Sequence, residues 1–291
     1  MEIDLRFPTK LDAIADAPEP LRSTLVETVP ANEPVRLLLH APAFSTAAVQ
    51  SPATLLAVTT NGWFLASESE QNGASVEKCR FADTLFLELT SVLLLGQLKI
   101  YFAAVGTAYS ATIQFNTIGE DYYREAAGLI LAGIDPVLAK GDPEVRDGAS
   151  LLEGWPLKIR DEAQRYRPKG QRLRAAIRWP AIMGGFQREL APAGALLITD
   201  REFVFLSEEK RSPRQLKEGF YEFGGIITFF PRVRVTDFHV SDHGRFGVLA
   251  LQVHSALGGE KLEIVFPADE ERTLSKAIES VLVAGEPTTE S

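Results

Sequence analysis

The side chains best suited to chemistry in this chain are the arginines and lysines between positions 158 and 234. They begin at Lys158 and Arg160, continue through Arg165, Arg167 and Lys169, and reach Arg172, Arg174 and Arg178. A later run holds Lys210, Arg211, Arg214 and Lys217. Guanidinium and ammonium groups gathered in this way hold anions, either a carboxylate-rich protein segment or the headgroups of an acidic lipid surface. Arg172, Arg174, Arg178, Lys210, Arg211, Arg214 and Lys217 therefore make up the candidate binding face. Positions 158–234 carry 16 basic and 9 acidic side chains, whereas positions 1–140 carry 9 basic and 16 acidic. The plainer reading is a solvated face, or internal pairing with the acidic first half. The sequence leaves both open.

Other constellations fall short of a reaction centre. The spacing His239-x-x-Asp242-His243 suggests metal ligands. A hairpin turning near 242–245 would set His239 opposite about residue 248, leaving His254 roughly 20 Å away at about 3.3 Å per residue. No metal site is expected. Gly184-Gly185 and Gly224-Gly225 lack the residues that make a phosphate loop or a dinucleotide fingerprint. Neither a Gly-x-Ser-x-Gly nor a His-Glu-x-x-His motif occurs. Glu88 and Asp237 read as outward-facing strand residues. Phe220, Phe223, Phe229 and Phe230 read as core, with Phe220 and Phe223 alternatively extending a partner groove. No catalytic residue and no cofactor is expected, so the chain reads as a non-enzyme.

Bulk properties narrow the partner. The 291 residues carry a net charge of -9, with 45% hydrophobic and 24% charged residues. That is the composition of one or two folded domains, and the acidic excess argues against nucleic acid. The single cysteine, Cys79, makes no intrachain disulfide and suits a reducing compartment. The first residues lack a basic stretch followed by an apolar run, and the longest apolar segment, 126–134, is too short to span a bilayer. A cytoplasmic protein without a transmembrane segment is expected.

The elements that must position these groups recur along the chain. Residues 54–68 resemble 194–208 at an offset of 140, with Leu56/Leu196, Thr59/Thr199, Ser67/Ser207 and Glu68/Glu208 identical. Upstream, 40–44 aligns with 178–182 at an offset of 138. Downstream, 84–89, 96–103 and 110–115 align with 235–240, 247–254 and 261–266 at an offset of 151. The step from 140 to 151 places an 11-residue insertion around 209–219. Each copy opens with short runs rich in Val, Ile, Thr and Phe, which is the strand pattern. Asn61-Gly62 is a hairpin signal. Each copy closes with an amphipathic helix. Tyr122, Ala126, Leu129 and Ile130 form the stripe in the first, and Leu274, Ala277, Ile278, Val281 and Leu282 form it in the second.

Strands followed by one terminal helix, with the pattern Leu-Leu-x-Val/Ile-Thr, turn, second strand ending Ser-Glu, resemble bacterial pleckstrin-homology and GRAM domains. The resemblance covers 34–132 and 172–284. It implies a mainly β fold with α, built as two pleckstrin-homology-like barrels, each with six or seven antiparallel strands and a C-terminal helix. The expected organisation is an N-terminal arm at 1–33, loosely packed, then a first domain at 34–134 and a linker at 135–171. A second domain at 172–285 and a disordered tail at 286–291 complete it. Lipid-binding members carry basic residues on the first two strands. Here 42–52 has no Lys or Arg, while the second copy has Arg188 with Arg172, Arg174 and Arg178 leading in. The function implied is a non-enzymatic module that binds a protein, a peptide or an anionic membrane surface. The alternatives are a barrel for a small hydrophobic ligand and, third, an enzyme of unknown class. Inward residues Leu56, Val58, Leu98 and Ile100 predict filled interiors.

Overall fold

Strands form wherever β-branched and aromatic residues run together, and a helix closes each series. The computed structural model describes residues 6–45, 50–69, 73–136, 148–168, 170–184, 189–208 and 224–282. The chain divides into two compact units, Met1–Ala139 with Ser255–Gly259, and Lys140–His254 with Glu260–Ser291. Both are mainly β and antiparallel. No helix among the described residues is long and apolar enough to cross a membrane.

Unit 1 begins with β1 (Thr9–Lys10) and α1 (Leu21–Thr28). There follow β2 (Val35–Ala41), β3 (Phe44–Ser45), β4 (Gln50–Ser51), β5 (Thr54–Thr59), β6 (Gly62–Ser69) and β7 (Gly73–Arg80). The strands β1, β2, β5, β6 and β7 pair in that order. A short helical turn, Phe81–Asp83, then redirects the chain. β8 (Thr84–Val92), β9 (Leu95–Ala104) and β10 (Thr107–Asn116) pair successively, and α2 (Glu120–Ile134) ends the unit. β7 and β8 are not sheet neighbours. No sheet among the described residues closes on itself, so the expected barrels are open, antiparallel sheets.

Within the N-terminal stretch expected to pack loosely, Leu11, Ala17, Leu21, Leu25 and Val29 belong to the core. Leu21 and Leu25, one turn apart on α1, are fully buried with Leu11 and Ala17 against Leu38, Leu55, Ala57, Phe64 and Ala66. The reason lies in β5 and β6. Every residue of β5 and the first five of β6 are buried, so both sheet faces need cover. Leu37, Leu39, Leu56, Val58, Leu98 and Ile100 are likewise buried. The buried face of α2 keeps Ala126 and Ile130 of the expected stripe but not Tyr122 or Leu129. Tyr123, Ala126, Ala127, Ile130, Leu131 and Ile134 are buried, whereas Tyr122 is exposed. Tyr123 wins because its ring stacks on Phe115, with centroids 3.8 Å apart.

Unit 2 holds α3 (Leu157–Tyr166), β11 (Leu173–Trp179), β12 (Ile182–Met183), β13 (Glu189–Ala191), β14 (Gly194–Thr199), β15 (Glu202–Glu208) and β16 (Gly224–Pro231). It continues with β17 (Val235–Asp242), β18 (Phe246–Ser255), β19 (Gly258–Pro267) and α4 (Glu271–Leu282). β11, β14, β15 and β16 pair in that order, and so do β17, β18 and β19. The stretch 135–171, read as a linker, contains α3, whose Ala163 and Tyr166 are buried. Leu274, Ile278 and Val281 of α4 are buried.

Local details recur between the units. Thr59 Oγ1 donates to Gly62 O at 3.0 Å and accepts the Gly62 N–H at 3.1 Å. Thr199 Oγ1 does the same with Glu202, at 3.0 and 2.9 Å. The Asn61-Gly62 hairpin is thus fastened by a threonine side chain. A Cβ on Gly96 would stand 2.1 Å from the Phe115 ring, and one on Gly247 would stand 2.3 Å from Phe266.

Candidate interaction surface

β11 carries Arg174 and Arg178 of the expected basic face, and Arg172 immediately precedes it. Leu173, Ile177 and Trp179 are buried, while Arg172, Arg174 and Arg178 are exposed, as a half-buried strand with period two requires. Its strand partner among the described residues is β14, so β11 stands at a sheet edge.

The arginines differ in their bonding. Arg174 is ion-paired with the Asp200 carboxylate. Asp200 Oδ2 also accepts the Arg172 backbone N–H at 3.2 Å. The Asp200 carbonyl accepts from Arg232 Nη1 at 2.7 Å, and Arg232 donates as well to the Val281 carbonyl in the last turn of α4. Arg232 is therefore a structural cap for that helix. Lys158 pairs with Glu208 at 3.0 Å. Glu162, on the same helix, has its carboxyl raised above the usual range by burial, an effect opposed by Lys158. The guanidinium groups of Arg172 and Arg178 form no ion pair among the described residues. Lys210, Arg211, Arg214 and Lys217 lie outside the described residues, as do Arg188, Phe220 and Phe223.

The corresponding edge of unit 1 is covered. β1 pairs with β2, Thr9 facing His40 and Lys10 facing Leu39, and the Leu11 N–H donates to Leu38 O at 2.9 Å. His40 is buried there, and burial holds its imidazole below the usual range.

Unit 1 also has a surface cleft of about 590 Å³, bordered by Pro20, Ala43, Gln50, Ser51, Glu68 and Ser69. It is open and mixed in polarity, and lies beside the β3–β4 hairpin. Sequence reasoning missed it, because its walls come from segments far apart in the chain.

A third surface feature was also missed. The β8–β9 turn exposes Leu93 and Leu94, each to about 70%, and Ile118 is exposed to the same degree. Thr117 joins these segments, donating its N–H to Leu94 O at 3.1 Å and its hydroxyl to Leu93 O at 3.0 Å. The patch lies in unit 1.

Among the described residues, no group of three His, Cys, Asp or Glu side chains is arranged to hold a metal ion. His239 faces Ala250 across β17 and β18, two residues from the position expected. Glu88 pairs with Lys99 at 3.4 Å. Comparison with models of known families and with curated proteins found no match.

Proposed function

We propose that the chain is a non-enzymatic interaction module of two pleckstrin-homology-like units, related by duplication. Its second unit offers a basic edge to an acidic protein segment or an anionic surface. The observation that carries this is β11. Arg178 on β11 and Arg172 just before it are exposed and without an ion pair among the described residues, and the other face of the strand is anchored by Leu173, Ile177 and Trp179. The duplication is supported by the recurring threonine-fastened turns and glycine–phenylalanine pairs. The single cysteine, Cys79, suits a reducing, cytoplasmic setting.

The test is binding to poly-glutamate and to phosphatidylserine vesicles at low and high salt. Binding through exposed charges weakens as salt shortens the screening length from about 10 Å at 0.1 M to about 3 Å at 1 M. Arg172→Glu with Arg178→Glu should abolish it without changing the melting temperature. Failure of both probes to bind at low salt, or binding indifferent to the double reversal, overturns the proposal.

A second reading rests on the cleft in unit 1. Its volume is within the range of small-ligand sites, about 300–1,000 Å³. Glu68 and the hydroxyls of Ser51 and Ser69 suit a polar or cationic ligand.

A further inference from the structure

The two units start their sheets in the same register. Leu38 faces Ala57 and His40 faces Leu55 in unit 1; Ala176 faces Leu197 and Arg178 faces Ala195 in unit 2. Both pairings carry an irregularity at the same place, between Val35 and Leu37 and between Leu173 and Ala175. Backbone groups along β2 and β11 therefore point alike. In β2 the outward groups are those of Leu38 and His40, because Leu38 O accepts from Leu11 and Thr9 lies opposite His40. Their equivalents in β11 are Ala176 and Arg178.

Among the described residues, what covers those groups differs between the units. In unit 1 the segment through Thr9–Lys10 adds as an antiparallel strand, and Leu38 and His40 are buried. In unit 2 no described strand lies on that side of β11, Ala176 is half-buried and Arg178 is exposed. A row of unpaired N–H and C=O groups on an edge is a template for another strand. The side chains choose its composition. A strand laid along β11 would meet Arg178 and, just before the start of β11, Arg172, neither with an ion pair among the described residues. Opposite charges across a strand pair stabilise it, and like charges destabilise it.

We infer that β11 is a docking edge for an extended, acidic peptide segment of a partner protein, which adds antiparallel beside Ala176 and Arg178 as Thr9–Lys10 adds beside β2. The inference rests on reading unit 2 as an interaction module and specifies its mode. Side chains of such a peptide alternate between the two faces, so carboxylates at every second position share the face of Arg178. The competing account is that the arginines guard the edge against pairing.

The experiment uses the full chain, isotope-labelled, with two octapeptide probes of equal charge, one alternating Glu and Val and one alternating Glu and Pro. Amide exchange at Ala176 and Arg178 should be fast in the free protein, and slow at Leu38 and His40. The Glu-Val peptide should slow both fast amides, and the Glu-Pro peptide should leave them unchanged, because proline cannot sustain a ladder. Arg178→Glu should weaken Glu-Val binding about tenfold. Ala176→Pro should abolish it at unchanged melting temperature, since the N–H removed points away from β14. If that variant melts early, the exchange data on the unaltered chain decide.

Slow exchange at Ala176 and Arg178 in the free protein would mean that the chain fills its own edge, and the inference would fail. Equal binding of both peptides would leave the basic edge standing and remove strand addition. Binding to phosphatidylserine vesicles but to neither peptide would do the same in favour of a membrane. Binding to none of these probes would overturn the interaction module as well.

Discussion

Leu93 and Gly244 sit 151 positions apart, each in a hairpin turn, and both have positive φ, 54° and 84°. Glycine takes that conformation without cost, whereas a leucine gives up about 1–2 kcal/mol. Leu93 is also exposed, so its side chain contributes little burial in return. Leu93→Gly should therefore leave stability unchanged or raise it by up to about 1 kcal/mol in a urea titration. A clear loss would show that the leucine makes contacts the fold needs. His40 presents the opposite case, a polar group inside the fold. Its Nδ1 has no hydrogen-bond partner among the described residues, and burial disfavours the charged ring. The unfolded chain then takes up the proton first. Stability is full above about pH 6.5, the ordinary histidine value, and falls as pH drops below it. The urea midpoint should decrease between about pH 7.5 and pH 5.5, and His40→Gln should flatten that decrease. An unchanged slope in the variant would remove His40 as its source.

At the scale of elements, the apolar period predicted α4 well and α2 less well. Leu274, Ile278 and Val281 were legible because Arg272, Thr273, Lys276, Glu279 and Ser280 occupy the other faces of the helix. Ile278→Ala should cost roughly 2–5 kcal/mol, and Lys276→Ala almost nothing. Equal melting shifts for the two would mean that α4 does not dock through this stripe. In α2, adjacent Tyr122 and Tyr123 fit two stripes equally well in sequence. The stacking of Tyr123 on Phe115 selects one, and that contact forms only when β10 and the helix meet. The strands of both units were legible from their β-branched and aromatic runs. α1 was not, because Leu21 and Leu25 are too few to mark a helix face among so many prolines and acids.

For the whole molecule, the division into two units makes a separable expectation. Leu25→Ala removes a side chain buried on β5 and β6, so amide exchange should accelerate in those strands more than in β14 and β15. Uniform acceleration would show that the units open together. The sequence by itself determined the mainly β character, the recurrence of strand runs and closing helices, and the uneven charge. Each of these depends on residue type and spacing along a few turns or strands, which local sterics and solvent preference decide. Tertiary structure alone decided that residues 9–28 belong to the first core, and that Arg174 is spent on Asp200 and Arg232 on α4. It alone left Arg178, among the described residues, at a sheet edge, while β1 covers β2. Those outcomes join segments far apart in the chain, and no spacing rule reaches across loops whose closure is settled only when the sheets are assembled.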